Sequence, residues 1–159
     1  MKLRLPDAAA TSALACRLGA VLPPDTAGWT LLLEGELGAG KSTFARALIH
    51  SMGHDEAVPS PTYTLVEPYN LPDRTIYHID LYRVSDEEEL RFLGWTELED
   101  GFRLVEWPEH APGLTGTADF KLHLDYADHG RHAELQALSD RAALLLSLLN
   151  DQADTQQQD

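Results

Sequence analysis

Two short apolar runs stand out against a mostly mixed chain. Trp29–Glu34 (WTLLLE) and Phe102–Glu106 (FRLVE) are nearly continuous in apolar side chains, as strands covered on both faces of a sheet would be. Helical periodicity separates them from other segments. Ala10, Leu14, Ala15, Leu18 and Val21 fall on one face of a predicted helix that Asp7 can cap and that Pro23–Pro24 ends. Phe44, Leu48 and Met52 recur at i, i+4 and i+8, which predicts a helix over Lys41–Met52 with Gly53 in the C′ position. Leu3–Leu5 predicts a short first strand. Tyr63–Tyr69 and Thr75–Asp80 predict two more, joined at Pro72–Asp73. Ser85 and Glu88 are spaced as a capping box opening a helix through Leu93, with Gly94 closing it. Asp119–Tyr126 and Arg131–Leu138 flank Asp128–Gly130 as a hairpin, and Ser139 or Asp140 caps a last helix through Asn150. The polar tail 151–159 (DQADTQQQD) has no large apolar residue to offset its ordering entropy and is expected to be disordered. The pattern therefore predicts one α/β domain over residues 1–150, with a mostly parallel central sheet flanked by helices and an antiparallel hairpin appendage.

Charge narrows the partners. Twelve Lys and Arg against 26 Asp and Glu leave a net charge of −14, a field that repels nucleic-acid backbones and anionic lipid. The single cysteine, Cys16, cannot form an internal disulfide and fits a reducing compartment. With no apolar stretch long enough to span a bilayer and no signal-peptide core at MKLRLPDAAA, a cytoplasmic location away from membranes is expected.

A local site for a small anion is nevertheless written into the chain. Gly35-Glu36-Leu37-Gly38-Ala39-Gly40-Lys41-Ser42 matches G-x-x-x-x-G-K-[ST] at every fixed position. It begins just after a predicted buried strand and ends on a predicted helix N-terminus, as the mechanism requires. Glycines let the backbone turn its N–H groups inward as an anion nest, and the helix adds the positive end of its dipole. The expected roles follow: Gly35, Gly38, Ala39 and Gly40 cradle the phosphates, Lys41 reaches the β and γ phosphates, Ser42 ligates Mg²⁺, and Thr43 offers a hydroxyl to the α phosphate. The fold expected is therefore that of a P-loop NTPase.

Such a site needs a carboxylate near the metal and a group that orients the attacking species. Both belong at the carboxyl ends of strands, where Asp80 and Glu106 stand. No [NT]-K-x-D segment occurs, which favours ATP over GTP. The nine arginines are scattered from Arg4 to Arg141 with none adjacent, which argues against the arginine-rich lid of a small-molecule kinase. That kinase, and a regulatory nucleotide-binding module without useful turnover, remain the alternatives to an ATPase.

Five segments together resemble the TsaE (YjeE) family of bacterial ATPases: GELGAGKST at Gly35–Thr43, SPTYTLVEPY at Ser60–Tyr69, HIDLYR at His78–Arg83, EEL with FLG within Glu88–Gly94, and LVEWPE at Leu104–Glu109. Glu36 and Ser42 replace a commoner Asp and Thr but keep the functional groups. The resemblance implies a P-loop fold, binding of ATP with Mg²⁺, and slow hydrolysis in the biosynthesis of threonylcarbamoyladenosine (t6A) on ANN-decoding tRNAs. It implies action on the TsaD–TsaB protein pair, with tRNA met only through that complex. By the same resemblance Asp80 serves hydrolysis, Glu106 serves the metal, and the hydroxyls of Ser60, Thr62 and Thr64 stand beside the γ phosphate. Trp107 resembles a tryptophan near the nucleotide. Arg131 lines the adenine side, with Asp7–Ala8 as the alternative rest for the base. His78, two residues from Asp80 on the same strand face, either orients Asp80, touches a partner or is simply packed.

Overall fold

The computed structural model describes residues 1–61 and 64–156. Seven strands form one mixed sheet: β1 Lys2–Leu5, β2 Thr30–Gly35, β3 Val66–Asn70, β4 Thr75–Asp80, β5 Phe102–Glu106, β6 Phe120–Tyr126 and β7 Arg131–Ala137. Their spatial order is β1-β7-β6-β2-β5-β4-β3. The centre, β6-β2-β5-β4, is parallel. β3 pairs antiparallel on one edge, and β7 and β1 extend the other edge antiparallel.

The predicted hairpin is thus not appended to the sheet but is part of it. Phe120, Leu122 and Leu124 alternate inward on β6 and are fully buried, which seats that strand directly beside β2. Asp119 pins the junction: its backbone N–H donates to Thr30 O at 2.9 Å, and its carboxylate accepts from Thr30 N at 3.0 Å.

Three α-helices cover one face: α1 Ala8–Val21, α2 Lys41–Ser51 and α3 Asp140–Gln156. Asp7 caps α1, its Oδ1 accepting from Ala10 N at 2.8 Å, a bond worth about 1 kcal/mol to a helix. Leu14, Leu18, Phe44, Leu48, Ile49 and Leu149 pack with Leu31 and Leu33 of β2 into the larger core. The opposite parity of β2 sends Leu32 to the other face, where it packs with Ile79, Leu81, Val105 and Leu114.

That second face is covered by 3-10 turns, and here the structure departs from the predicted helix. The segment is a 3-10 turn over Glu87–Arg91, and its capping box is Asp86 with Glu89, one residue later than expected. Gly94, at φ 70°, ends the run after too few residues for α-helical bonds to become cooperative. Two further boundaries move. β3 begins at Val66 because Leu65 takes a left-handed conformation, φ 64°, which no strand accommodates. α3 continues past Asn150 to Gln156, since no glycine or proline stops it; 157–159 lie outside the described residues. Among the described residues no helix is long and apolar enough to cross a membrane.

Candidate functional site

The loop between β2 and α2 lies at the carboxyl ends of the parallel strands. Its closeness to β6 explains the first glycine: a Cβ on Gly35 would stand 2.5 Å from Leu124 O. Gly38 sits at φ 79°, and a side chain there would meet Tyr126 Oη at 2.7 Å. Lys41 opens α2 and turns back into the loop. Its ammonium donates to Gly35 O and, at 3.2 Å, to Glu36 O. It also lies 3.8 Å from the centroid of the Trp107 ring. Only 6% of Lys41 is exposed. Burial lowers its pKa, opposed by the nearby charges of Glu106, Glu109 and Asp80.

The two strand-end carboxylates come together as the parallel pairing of β4 and β5 demands, with Asp80 in register with Glu106. Both are buried. Burial raises the Asp80 pKa; the Tyr82 N–H, donated to Asp80 Oδ1 at 2.8 Å, works in the other direction, and the neighbouring Glu106 raises it further. His78 makes no hydrogen bond to Asp80, though it lies close enough for its charge to act on that carboxylate. Its Nε2 lies 2.7 Å from Glu106 Oε2, with both side chains buried.

A cavity of about 210 Å³ gathers Gly38, Gly40, Lys41, Ser42, Thr43, Ser60, Asp80, Glu106 and Trp107 on its walls. A second, of about 270 Å³, shares Gly38, Gly40 and Thr43 with it and continues past Ala39 to Asp7, Ala8, Thr11 and Arg131. The two expected rests for a base, Arg131 and Asp7–Ala8, therefore line one cavity. Gly35 stands behind the loop, on an open groove with Glu36 and Leu37. Thr62 lies outside the described residues. Arg83 lines neither cavity.

Tyr126 and Glu109 of the site were not foreseen. Tyr126 donates its hydroxyl to Leu37 O at 2.5 Å. Glu109 reaches Lys41 through its charge. Tyr82 leans on Trp107, ring centroids 5.1 Å apart, with His110 beside both. The signal for Tyr126 was its place at the tip of the predicted hairpin, next to Arg131. Leu65 and Trp107 are the non-glycine residues at positive φ among the described residues. One sits before β3 and the other directly after Glu106, so both departures from common backbone geometry flank this site.

The donor set fits a magnesium nucleotide. A hydroxyl and two carboxylates are hard oxygen ligands, and Mg²⁺ is typically held by one or two carboxylates together with substrate phosphates and water. Among the described residues no cluster of three His, Cys, Asp or Glu forms a closed metal cage. The buried ammonium of Lys41, bonded to loop carbonyls, lines the same cavity as these oxygen donors.

The chain is similar to known proteins over most of its length. The family model described as threonylcarbamoyl adenosine biosynthesis protein TsaE matches residues 5–134. A Haemophilus influenzae protein named tRNA threonylcarbamoyladenosine biosynthesis protein TsaE is 42% identical over 121 residues, covering 75% of this chain and 77% of that one. A Nostoc protein of the same name is 37% identical over 140 residues, with 84% of each chain covered. The crystal structure of Bacillus subtilis YdiB superposes with a TM-score of 0.75 at 27% identity, covering 96% of this chain and 95% of that one.

Proposed function

The chain belongs to the TsaE family, and from that premise we propose that it binds ATP with Mg²⁺ at Gly35–Thr43 and hydrolyses it slowly in the service of t6A formation on tRNA. The observation that carries the reading is the placing of Lys41, Asp80 and Glu106 on one cavity that opens beside the glycine loop.

The residues divide the work as follows. The loop N–H groups and Lys41 hold the triphosphate and meet the negative charge that develops on its oxygens during transfer. Ser42 and Glu106 would hold a magnesium ion, which would neutralise charge on the phosphates. Asp80, held through one oxygen by the Tyr82 N–H, orients the attacking water with the other and takes up its proton. Its burial raises its basicity, which suits that task. Ser60 faces the same cavity and supplies a hydroxyl there. The nucleoside lies across Thr43 toward Arg131 and Ala8.

Hydrolysis serves protein partners. The TsaD–TsaB pair carries out the transfer, and the nucleotide cycle of this chain resets that pair between turnovers. The −14 charge favours docking on protein over docking on tRNA, in the cytoplasm where tRNA is modified. The test is phosphate release from MgATP by the chain alone and with the TsaD–TsaB pair. Stimulated release of inorganic phosphate is expected. Phosphate appearing on a small acceptor would indicate a kinase, and binding without turnover under both conditions would leave only a nucleotide-responsive module.

A further inference from the structure

We infer that His78 is a positioning residue whose imidazole fixes the Glu106 carboxylate in the orientation that meets magnesium. The inference rests on the nucleotide-site reading above and names a residue to which that reading gives no task.

The geometry is specific. His78 is in register with Leu104, and Asp80 with Glu106, so the imidazole reaches one rung diagonally along the same sheet face to Glu106. With Glu106 ionised, as a metal ligand must be, the ring nitrogen is the donor: Nε2–H to Oε2, 2.7 Å. His78 is 1% exposed and Glu106 3%. The other ring nitrogen, Nδ1, is buried with no hydrogen-bond partner among the described residues.

An imidazole with one nitrogen unmet in the interior costs free energy that a leucine or phenylalanine there would not. Filling space alone therefore does not account for it. What the imidazole supplies is a directed N–H on a carboxylate whose terminal torsion is otherwise broad. Asp80 has a separate donor in the Tyr82 N–H. Each of the two site carboxylates is thus held by a donor of its own. Partners of this kind typically alter metal affinity by about 10–100-fold when removed.

The experiment titrates Mg²⁺, starting from EDTA, into the full chain with a non-hydrolysable ATP analogue, following binding by calorimetry. H78F should raise the half-saturating Mg²⁺ concentration about tenfold or more while leaving analogue affinity in EDTA unchanged. H78Q, which returns an N–H donor, should recover most of the loss. In an E106A background H78F should add nothing further. An H78F titration equal to wild type overturns the inference, as does an equal loss in the E106A background, because His78 would then act by packing. Should H78F fail to fold, H78L against H78Q decides: a loss in H78L that H78Q does not share supports the inference, and equal titrations in the two overturn it. A wild-type chain whose analogue binding ignores Mg²⁺ overturns the site reading itself, and the inference with it.

Discussion

The ammonium of Lys41 lies 3.8 Å from the centroid of the Trp107 ring while it donates to the Gly35 carbonyl. A phosphate entering the loop competes for that ammonium and draws it off the ring. Trp107 emission should therefore change on addition of MgATP. Trp29 and Trp95 lie under Arg141 and Arg103 at 4.1 and 4.6 Å and line neither cavity. Their signals should stay constant. The change should vanish in W107F; a full response in that variant would place the reporter elsewhere.

Lys41→Met should abolish ATP binding with little loss of Tm. Desolvation by burial lowers the Lys41 pKa, and the charges of Glu106, Glu109 and Asp80 only partly oppose it, so at neutral pH the charge of the ammonium adds no net stability to the fold. Adding E106Q to K41M should recover none of the binding. A fall in Tm of several degrees in K41M would mean that the buried carboxylates of Asp80 and Glu106 depend on this cation.

Asp80→Asn should trade activity for stability. Burial raises the Asp80 pKa above the usual carboxylate range. Its contribution to stability is therefore fully present below the unfolded-state value and is lost as pH rises through the folded one. Above the folded-state value the buried carboxylate is charged and costs stability. The amide removes the charge and keeps an oxygen for the Tyr82 N–H. Tm at neutral pH should rise on the order of a few degrees, with the gain shrinking on acidification through the carboxylate range. ATP turnover should fall roughly 100-fold or more. A gain that persists undiminished in acid would show that charge burial is not its source.

What could be read from residue order alone has a physical boundary. The loop Gly35–Ser42 and the ends of β2 and β5 were legible because local rules govern them: a both-face apolar run, glycines, a lysine, a helix start. Asp80 and Glu106 were legible as strand ends, and their parallel register brings them together. The diagonal from His78 to Glu106 was not, because it depends on which strand lies beside β4. The hairpin's seat next to β2 was hidden for the same reason; alternation at Phe120, Leu122 and Leu124 identifies a buried face but not the neighbour. The 3-10 form of Glu87–Arg91 escaped because a capping signal marks where a turn starts, whereas Gly94 decides how few residues follow.

Arg131 should prove to act on the loop as much as on the base. Its Nε donates to Ala39 O at 3.2 Å and its Nη2 to Gly38 O at 3.1 Å. Its guanidinium stacks 4.5 Å from the Tyr126 ring centroid, while Tyr126 bonds Leu37 O. Consecutive loop carbonyls are thus tied to the end of the β6–β7 hairpin, which fixes the shape of the loop. Arg131→Ala should weaken binding of a non-hydrolysable ATP analogue about tenfold, the equivalent of one charge-assisted hydrogen bond, with a smaller effect on Tm. Arg131→Lys should not restore affinity, because a single ammonium cannot reproduce the planar fork that spans two carbonyls. Since Arg131 and Tyr126 touch each other and hold one loop, R131A and Y126F should combine non-additively in a double-mutant cycle read by calorimetry. Additive losses, or an R131K variant that binds as wild type does, would mean that the two side chains do not share the loop as a common load.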